Sequence, residues 1–246
     1  MLFARGPVVA PPDPTTPRGA APSTAAVLRT TRLFAGLDDA AIDELGRQAR
    51  LRAFRRGETV FLAGEPGDCL YAVVSGLVKL FVTSARGDEL VLATAGPGDA
   101  FGELSLIDEG GRSASAEAVE SSSLVVVDRT SFIDLIHQRP ELVERLLVTL
   151  GGLVRRITDQ AGDLVFLDLH GRVAKLLLHL VADQAGGART DVDIPFSQSD
   201  LARMVGASRQ TVNQILRSFQ AAGYIDLKGR SLKILRVDSL QQRAAD

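Results

Sequence analysis

The sequence has a single cysteine, Cys69, among its 246 residues. It can therefore form no internal disulfide and offers no cysteine cluster for zinc or an iron–sulfur centre. No apolar run reaches the roughly 18 residues that a membrane-spanning helix needs, and the N-terminus lacks the apolar stretch of a signal peptide. These absences predict a cytoplasmic protein that does not span a membrane.

Recognisable catalytic motifs are also missing. The sequence shows no nucleophile–base pair, no metal-ligand cluster and no P-loop, so we expect a protein that is not an enzyme and holds no metal. The three histidines, His137, His170 and His179, lie outside the β-rich segment described below, which disfavours a haem ligand there. Cys69 is predicted to be a small core residue, with redox sensing or haem ligation as the alternative.

Charge is distributed unevenly along the chain. Residues 171–246 carry 11 Lys and Arg against 7 Asp and Glu, although the formal net charge of the whole chain is −2. A basic C-terminal part on an acidic body fits a surface for a polyanion such as nucleic acid. The asymmetry alone is a weak indication.

The length predicts about two domains. Residues 1–26 contain six prolines and are predicted to be a disordered tail. A helix is predicted over residues 37–50, with Asp38 as its N-cap. Residues 51–128 alternate short apolar runs with Gly-rich turns, which is typical of a compact antiparallel roll.

A helix of about 25 residues is predicted after Pro140. Its seven-residue repeat places four residues at a-type positions: Val143, Leu150, Ile157 and Leu164. Three residues fall at d-type positions: Leu146, Leu153 and Gln160. The pattern predicts a homodimer through residues 141–164; the alternative is a helix buried against its own domain.

Residues 198–214 have the pattern of a helix-turn-helix. Ala202 is small where the two helices would cross, Gly206 suits a left-handed turn, and Ser208 is a good N-cap for the second helix. Residues 223–234 form two alternating runs that predict a β-hairpin, or wing. An ordinary helical hairpin would need neither this wing nor a polar first turn, so we expect binding to double-stranded DNA. The candidate DNA-binding residues are Gln198, Ser208, Arg209, Gln210, Thr211, Asn213, Gln214, Lys228 and Arg230.

A second candidate site lies at residues 101–114. Gly102 allows close approach of a ligand, Glu103 can accept hydrogen bonds from a ribose, and Arg112 with Ser113 can bind a phosphate. Taken alone, Glu103 and Arg112 could be an ordinary surface pair. Their position after several short strands and before a long helix favours a nucleotide site.

From about residue 33 to residue 237 the chain resembles the cyclic AMP receptor protein/fumarate–nitrate regulator (Crp/Fnr) superfamily. The resemblance is carried by the glycine-punctuated roll, by residues 101–106 with Arg112 and Ser113, and by residues 166–173 and 205–212. It implies an α+β fold: a jelly-roll cyclic-nucleotide-binding domain (27–137), a dimerisation helix (138–166) and a winged helix-turn-helix (167–246).

The resemblance also implies roles for individual residues. The ligand-binding set would be Gly102, Glu103, Leu104, Ser105, Arg112, Ser113 and Thr158. Glu103 would hold the ribose 2′-hydroxyl, Arg112 and Ser113 the cyclic phosphate, and Thr158 would reach the purine bound in the other subunit. Cyclic-AMP-responsive members usually have a polar residue where this chain has Ile157, which leaves cyclic AMP and cyclic GMP open as effectors.

The implied mechanism is a ligand-driven shift between two states. Residues 168–171 would be the hinge, and the two recognition helices would reach successive major grooves about 34 Å apart. Arg209 would pair with a guanine, while Gln210 and Gln214 replace a Glu and an Arg of the cyclic AMP receptor protein and predict an altered half-site. By family analogy, the loop over residues 184–193 would contact RNA polymerase.

Other functions remain open at this point. The chain could be a family member that binds DNA without a cyclic nucleotide, or that responds to cyclic GMP or to another effector. A cyclic-nucleotide-binding module of a kinase or channel would need no helix-turn-helix, so residues 201–216 argue against it.

Overall fold

The computed structural model describes residues 23–108, 110–185, 191–194, 196–229 and 231–245. Most of the predicted tail, residues 1–22, lies outside the described residues. The tail was predicted to extend to residue 26, but helix α1 already begins at Thr24. The reason is local: the Ser23 side chain accepts a hydrogen bond from the Ala26 backbone N–H and caps the helix.

The described residues fall into two compact units. The N-terminal unit comprises residues 23–80 and 94–153, and the C-terminal unit comprises residues 81–93 and 154–245. The helices that precede the strands are α1 (Thr24–Thr30), a 3₁₀ turn (Arg32–Phe34) and α2 (Asp39–Gln48). Asp38 caps α2 as predicted, accepting from the Ala41 backbone N–H at 2.8 Å.

Eight strands then form two four-stranded sheets. The strands are β1 (Arg50–Phe54), β2 (Thr59–Phe61), β3 (Cys69–Ser75), β4 (Val78–Thr83), β5 (Glu89–Ala95), β6 (Ala100–Phe101), β7 (Ser115–Ala118) and β8 (Ser122–Asp128). One sheet has the order β1-β8-β3-β6 and the other β2-β7-β4-β5. The short helices α3 (Leu104–Ile107) and α4 (Arg129–Gln138) follow β6 and β8. The prediction of a β-rich roll is confirmed.

Strands β3 and β8 are buried on both faces, which explains why they read as continuous apolar runs. On β8, Leu124 and Val126 face a core shared by the two sheets, whereas Val125 and Val127 face a second core formed with the helices. The period of two residues along a strand separates these two sets. In the second core, Phe34 and Phe132 make an edge-on contact with ring centroids 6.4 Å apart.

The long helix α5 (Pro140–Phe166) has 27 residues and two apolar stripes. One stripe, with Leu142 and Leu146, packs into the helix-side core of the N-terminal unit. The other is exposed or half-buried and repeats at alternating spacings of four and three residues: Val143, Leu147, Leu150, Val154, Ile157, Ala161 and Leu164.

The exposed stripe corrects the predicted heptad register. The four predicted a-type residues lie on the stripe, but Leu146 is 6% exposed and packs into its own domain, so it cannot belong to a seam with another subunit. The exposed residues that alternate with the four a-type residues lie one position after the predicted d-type set: Leu147, Val154 and Ala161. Both sets begin with leucine, so the sequence alone did not distinguish them.

The C-terminal unit contains four helices and three strands after α5. They are α6 (Leu169–Ala185), β9 (Asp191–Asp193), α7 (Gln198–Val205), α8 (Arg209–Ala221), β10 (Ile225–Lys228), β11 (Ser231–Ile234) and α9 (Val237–Arg243). Strands β10, β11 and β9 form an antiparallel sheet in that order, so the predicted wing hairpin is confirmed. The same unit includes the tip of the β4–β5 hairpin, where Glu89 forms an ion pair with Arg203 of α7 at 3.3 Å.

Two features of this unit differ from the prediction. Helix α6 begins at Leu169, inside the predicted hinge, because the Asp168 side chain accepts from the Gly171 backbone N–H at 2.7 Å and caps the helix. The predicted hinge over residues 168–171 is therefore largely helical. Helix α9 was not predicted, and it packs against α6 with Leu240 fully buried. Among the described residues, no helix is long and apolar enough to cross a membrane.

Candidate functional site

A buried arginine, Arg112, is the centre of the first candidate site. Arg112 is 5% exposed. Nη1 donates to the Gly102 carbonyl at 2.7 Å and to the Ser105 hydroxyl at 3.1 Å, and Nη2 donates to the Cys69 carbonyl at 2.7 Å. Two hydrogen bonds hold the backbone of Arg112 in place. The Gly64 N–H donates to the Arg112 carbonyl, and the Arg112 N–H donates to the Glu65 carbonyl, each at 2.8 Å. The guanidinium is therefore fixed by neutral oxygens.

Two glycines make this close packing possible. Gly102 has φ +86°, and a Cβ there would lie 2.7 Å from Arg112 Nη1. A Cβ on Gly67 would lie 1.8 Å from the Ser105 hydroxyl oxygen. Any larger residue at either position would displace a polar group of the site, which is the physical reason for glycine here.

Glu103 is the second ionisable group of the site. It is 7% exposed and directly precedes α3. Burial raises the pKa of its carboxyl, while its own backbone N–H and the charge of Arg112 act in the opposite direction. A hydroxyl that donates a hydrogen bond to this buried carboxyl would stabilise its ionised form.

Three aromatic residues, Phe61, Tyr71 and Phe101, form an aromatic wall beside the guanidinium that was not predicted as part of the site. The Arg112 Cζ is 4.3 Å from the Phe61 ring centroid and 5.8 Å from that of Tyr71. Tyr71 in turn stacks on Phe101, with centroids 5.3 Å apart and ring planes 14° apart. Cys69 is buried, and burial raises the pKa of its thiol, so it has the character of a core residue rather than of a reactive thiolate.

The structure brings together four of the predicted ligand-binding residues: Gly102, Glu103, Ser105 and Arg112. Leu104 is half-buried and begins α3. Ser113 is exposed beside Arg112. Thr158 belongs to the C-terminal unit, is exposed on α5, and donates its hydroxyl to the Val154 carbonyl at 2.9 Å.

The helix-turn-helix of α7 and α8 forms the second candidate site. Helix α7 begins with a capping box between Ser197 and Asp200 and is followed by its C-cap Gly206, which has the left-handed conformation (φ 66°, ψ 46°). Ser208 then caps α8, accepting from the Thr211 backbone N–H at 3.1 Å. The turn at Gly206 and the Ser208 cap are as predicted, and the residues that join the two helices are all buried: Leu201, Ala202, Val205, Val212 and Ile215.

One face of α8 presents a continuous polar surface. Four predicted residues line a single depression there: Arg209, Gln210, Asn213 and Gln214. Arg217 lines the same depression and was not predicted, although its spacing of four residues from Asn213 places it on that face. The surface combines two guanidinium groups with three side-chain amides, which suits the edges of base pairs and nearby phosphates.

The remaining predicted DNA-binding residues surround this surface. Gln198 is half-buried at the first position of α7, and the Ser208 and Thr211 hydroxyls are hydrogen-bonded to each other at 2.7 Å. Lys228 is exposed on β10 and pairs with Asp226 at 2.9 Å. Arg230 lies outside the described residues.

Comparisons with known proteins match a domain family to the region that contains each candidate site. Residues 51–139 match the model of the cyclic nucleotide-binding domain, and residues 171–243 match that of the Crp-like helix-turn-helix domain. The chain is 41% identical to the CRP-like cAMP-activated global transcriptional regulator of Mycobacterium tuberculosis, over 89% of this chain and 98% of that protein. It is 33% identical to the cyclic AMP receptor protein of Thermus thermophilus, over 88% of this chain and 98% of that protein.

Solved structures show the same fold. FixK2 from Bradyrhizobium japonicum superposes with a TM-score of 0.73 at 24% identity, covering 80% of this chain and 98% of that one. The c-di-GMP-responsive global regulator CLP of Xanthomonas campestris superposes with a TM-score of 0.70 at 25% identity, covering 80% of this chain and 99% of that one.

Proposed function

The chain belongs to the Crp/Fnr superfamily of transcription regulators, and from this premise we propose that it is a homodimer whose binding to a palindromic operator is controlled by cyclic AMP. The relatives that it matches over nearly their whole length are transcription regulators, so the proposed output is control of transcription rather than catalysis. A regulator of this kind acts where bacterial DNA is held, in the cytoplasm.

The observation that best supports nucleotide binding is the buried environment of Arg112. This cation is 5% exposed, yet its hydrogen-bond partners among the described residues are all neutral: Gly102 O, Ser105 Oγ, Cys69 O and Cys69 Sγ. Burying a charge whose hydrogen-bond partners are all neutral is costly. A cyclic phosphate would supply an anionic acceptor, and the guanidinium would donate to its oxygens.

The neighbouring groups fit the rest of a cyclic nucleotide. Glu103 would accept from the ribose 2′-hydroxyl, and Ser113 and the amide of Leu104 would add donors for the phosphate. Thr158 would bind the purine in the other subunit of a dimer formed through residues 141–164. Because the purine would then contact both subunits, binding would favour one arrangement of the dimer over another, which is the requirement for a ligand-driven switch.

Cyclic GMP and cyclic di-GMP are the competing effectors. The residue before Thr158 is Ile157, which has no polar side chain to discriminate between purine edges. The structurally similar regulator CLP is described as c-di-GMP-responsive. These two observations keep a different nucleotide, or DNA binding without any nucleotide, as the alternative.

Calorimetric titration of the purified protein tests the effector. We expect heat of binding with cyclic AMP at one site per chain, and weaker binding of cyclic GMP and cyclic di-GMP. Saturable heat with cyclic di-GMP alone would move the proposal to that effector. Unchanged heat flow with all three would reject the nucleotide half of the proposal and leave only DNA binding.

For DNA, we propose that Arg209 binds a guanine through two hydrogen bonds and that Gln210 and Gln214 read adenines. Asn213 would lie against the same groove, and Gln198, Ser208, Thr211, Lys228 and Arg230 would contact phosphates. RNA polymerase is a further proposed partner, through the loop over residues 184–193, of which residues 186–190 lie outside the described residues.

Arg209→Ala should weaken binding to the operator by about 1–3 kcal/mol and relax the preference at a single base pair of each half-site. The reason is that a paired arginine–guanine contact is lost while the phosphate contacts remain. Competition binding against operators changed one base pair at a time measures this directly.

Lys228→Ala is the control for the Arg209 measurement. Because Lys228 is proposed to contact phosphate, its loss should weaken binding to all sequences alike and reduce the salt dependence. Should Arg209→Ala behave in the same way, with equal loss on every sequence, Arg209 would be a phosphate contact and not a base-reading residue.

A further inference from the structure

The aromatic wall next to Arg112 gives Phe61 a role beyond core packing. We propose that Phe61 is a positioning residue of the nucleotide site: its ring face holds the Arg112 guanidinium where the cyclic phosphate binds. This inference rests on the proposed function of the N-terminal unit and adds a residue that the sequence pattern of the site does not contain.

The geometry is that of a cation above an aromatic face. Arg112 Cζ lies 4.3 Å from the Phe61 centroid, within the roughly 6 Å over which such contacts are attractive. Phe61 is 8% exposed and belongs to β2. Its ring is held by two aromatic neighbours, with centroids 5.7 Å from Tyr71 and 6.0 Å from Phe101.

The contact is favoured by burial. A cation–π interaction is worth more when both partners are removed from water, and Arg112 is 5% exposed. Phe61 contacts the guanidinium through its ring, whereas the hydrogen bonds of Arg112 are made by its terminal N–H groups. The ring can therefore keep the group oriented both before and after a phosphate replaces the Gly102 and Cys69 carbonyls as acceptor.

The expected consequence is preorganisation. Without the ring, the guanidinium would occupy other orientations for part of the time. The apparent dissociation constant for cyclic AMP would then rise in inverse proportion to the fraction of molecules whose guanidinium is correctly oriented. A leucine at position 61 would fill most of the volume but offers no aromatic face. A tyrosine would retain the face.

Three variants separate positioning from packing. Phe61→Leu should weaken cyclic AMP binding about three- to tenfold in calorimetry, consistent with a desolvated cation–π contact, whereas Phe61→Tyr should stay within about twofold of the wild type. Phe54→Leu is the matched control, because Phe54 is 2% exposed in the same core and contacts Tyr71 edge-on, while the cation over its ring is Arg52. It should also stay within about twofold, and melting temperatures establish that each variant is folded.

The decisive comparison repeats Phe61→Leu in an Arg112→Gln background. If Phe61 acts through the guanidinium, the loss caused by Phe61→Leu should largely disappear there, since the cation that the ring supports is gone. The same loss in both backgrounds, or a loss in Phe54→Leu as large as in Phe61→Leu, would overturn the role of Phe61 and leave the proposed function intact. No cyclic nucleotide binding by the wild type would overturn both.

Discussion

Arg112→Gln should lower the affinity for cyclic AMP by on the order of a hundredfold or more, with little effect on the fold of either unit. Truncating one partner of a buried, hydrogen-bonded charge pair costs about 2–5 kcal/mol. Glutamine keeps an amide that can still donate to the Gly102 or Cys69 carbonyl, but it brings no charge to a phosphate. The loss is therefore specific to the ligand-bound state.

The stability of the ligand-free protein should be much less affected than its affinity for cyclic AMP. Removing the Arg112 charge relieves the cost of burying a cation among neutral hydrogen-bond partners but also removes its favourable effect on the buried Glu103 carboxyl, so stability should change little. Thermal unfolding distinguishes the two states in one experiment. Saturating cyclic AMP should raise the melting temperature of the wild type through mass action, and the shift should be lost in Arg112→Gln.

Arg52→Gln is the matched control for this measurement. It makes the same change at an exposed arginine of β1, above the ring of Phe54. It should keep the full shift in melting temperature. A normal shift in Arg112→Gln would contradict the assignment of the phosphate site, whereas loss of the shift in both variants would point to a general disturbance of the roll.

Local signals allowed the helix-turn-helix to be predicted almost residue by residue. Gly206 and Ser208 act through their own backbone and side-chain geometry, so the sequence is sufficient to place the turn and the start of α8. The same is true of Asp38 at the start of α2. Asp168 carries an equivalent signal, which the prediction of a hinge over residues 168–171 overlooked.

The nucleotide site could be predicted only in part. Gly102, Glu103 and Arg112 stand close together in the sequence, but Phe61 comes from β2, about fifty positions upstream of Arg112. The neighbours Val60 and Phe61 are both buried in the same core, at the point where the pairing of β2 with β7 shifts register. A shift of this kind moves a side chain from one face of a sheet to the other, and alternation in the sequence does not reveal it.

The register of α5 shows the same limit for helices. Leu146 and Leu147 are adjacent and equally apolar, and only tertiary packing decides that Leu146 faces the roll while Leu147 is 63% exposed. The exposed stripe is what a single subunit leaves uncovered, which supports the proposed homodimer. A residue change within the stripe is therefore the sharpest test of that proposal.

Val154→Asp should weaken dimerisation by at least about a hundredfold and should reduce binding to a palindromic operator. Val154 is 63% exposed in the single chain and lies in the middle of the stripe of α5. In a parallel pair of helices each subunit would place this carboxylate in the apolar seam, where burying an unpaired charge costs several kcal/mol. Sedimentation equilibrium over a range of concentrations measures the dissociation constant.

Val148→Asp provides a control with the same change on the same helix. Val148 is 66% exposed but lies outside the stripe, one position after Leu147, so its carboxylate would stay in water and the dimer should remain intact. Binding to an isolated half-site should be similar in both variants, because the recognition helix is unchanged. If Val154→Asp remained as dimeric as Val148→Asp, the seam through residues 141–164 would be wrong, and the two recognition helices would have to be paired by another surface.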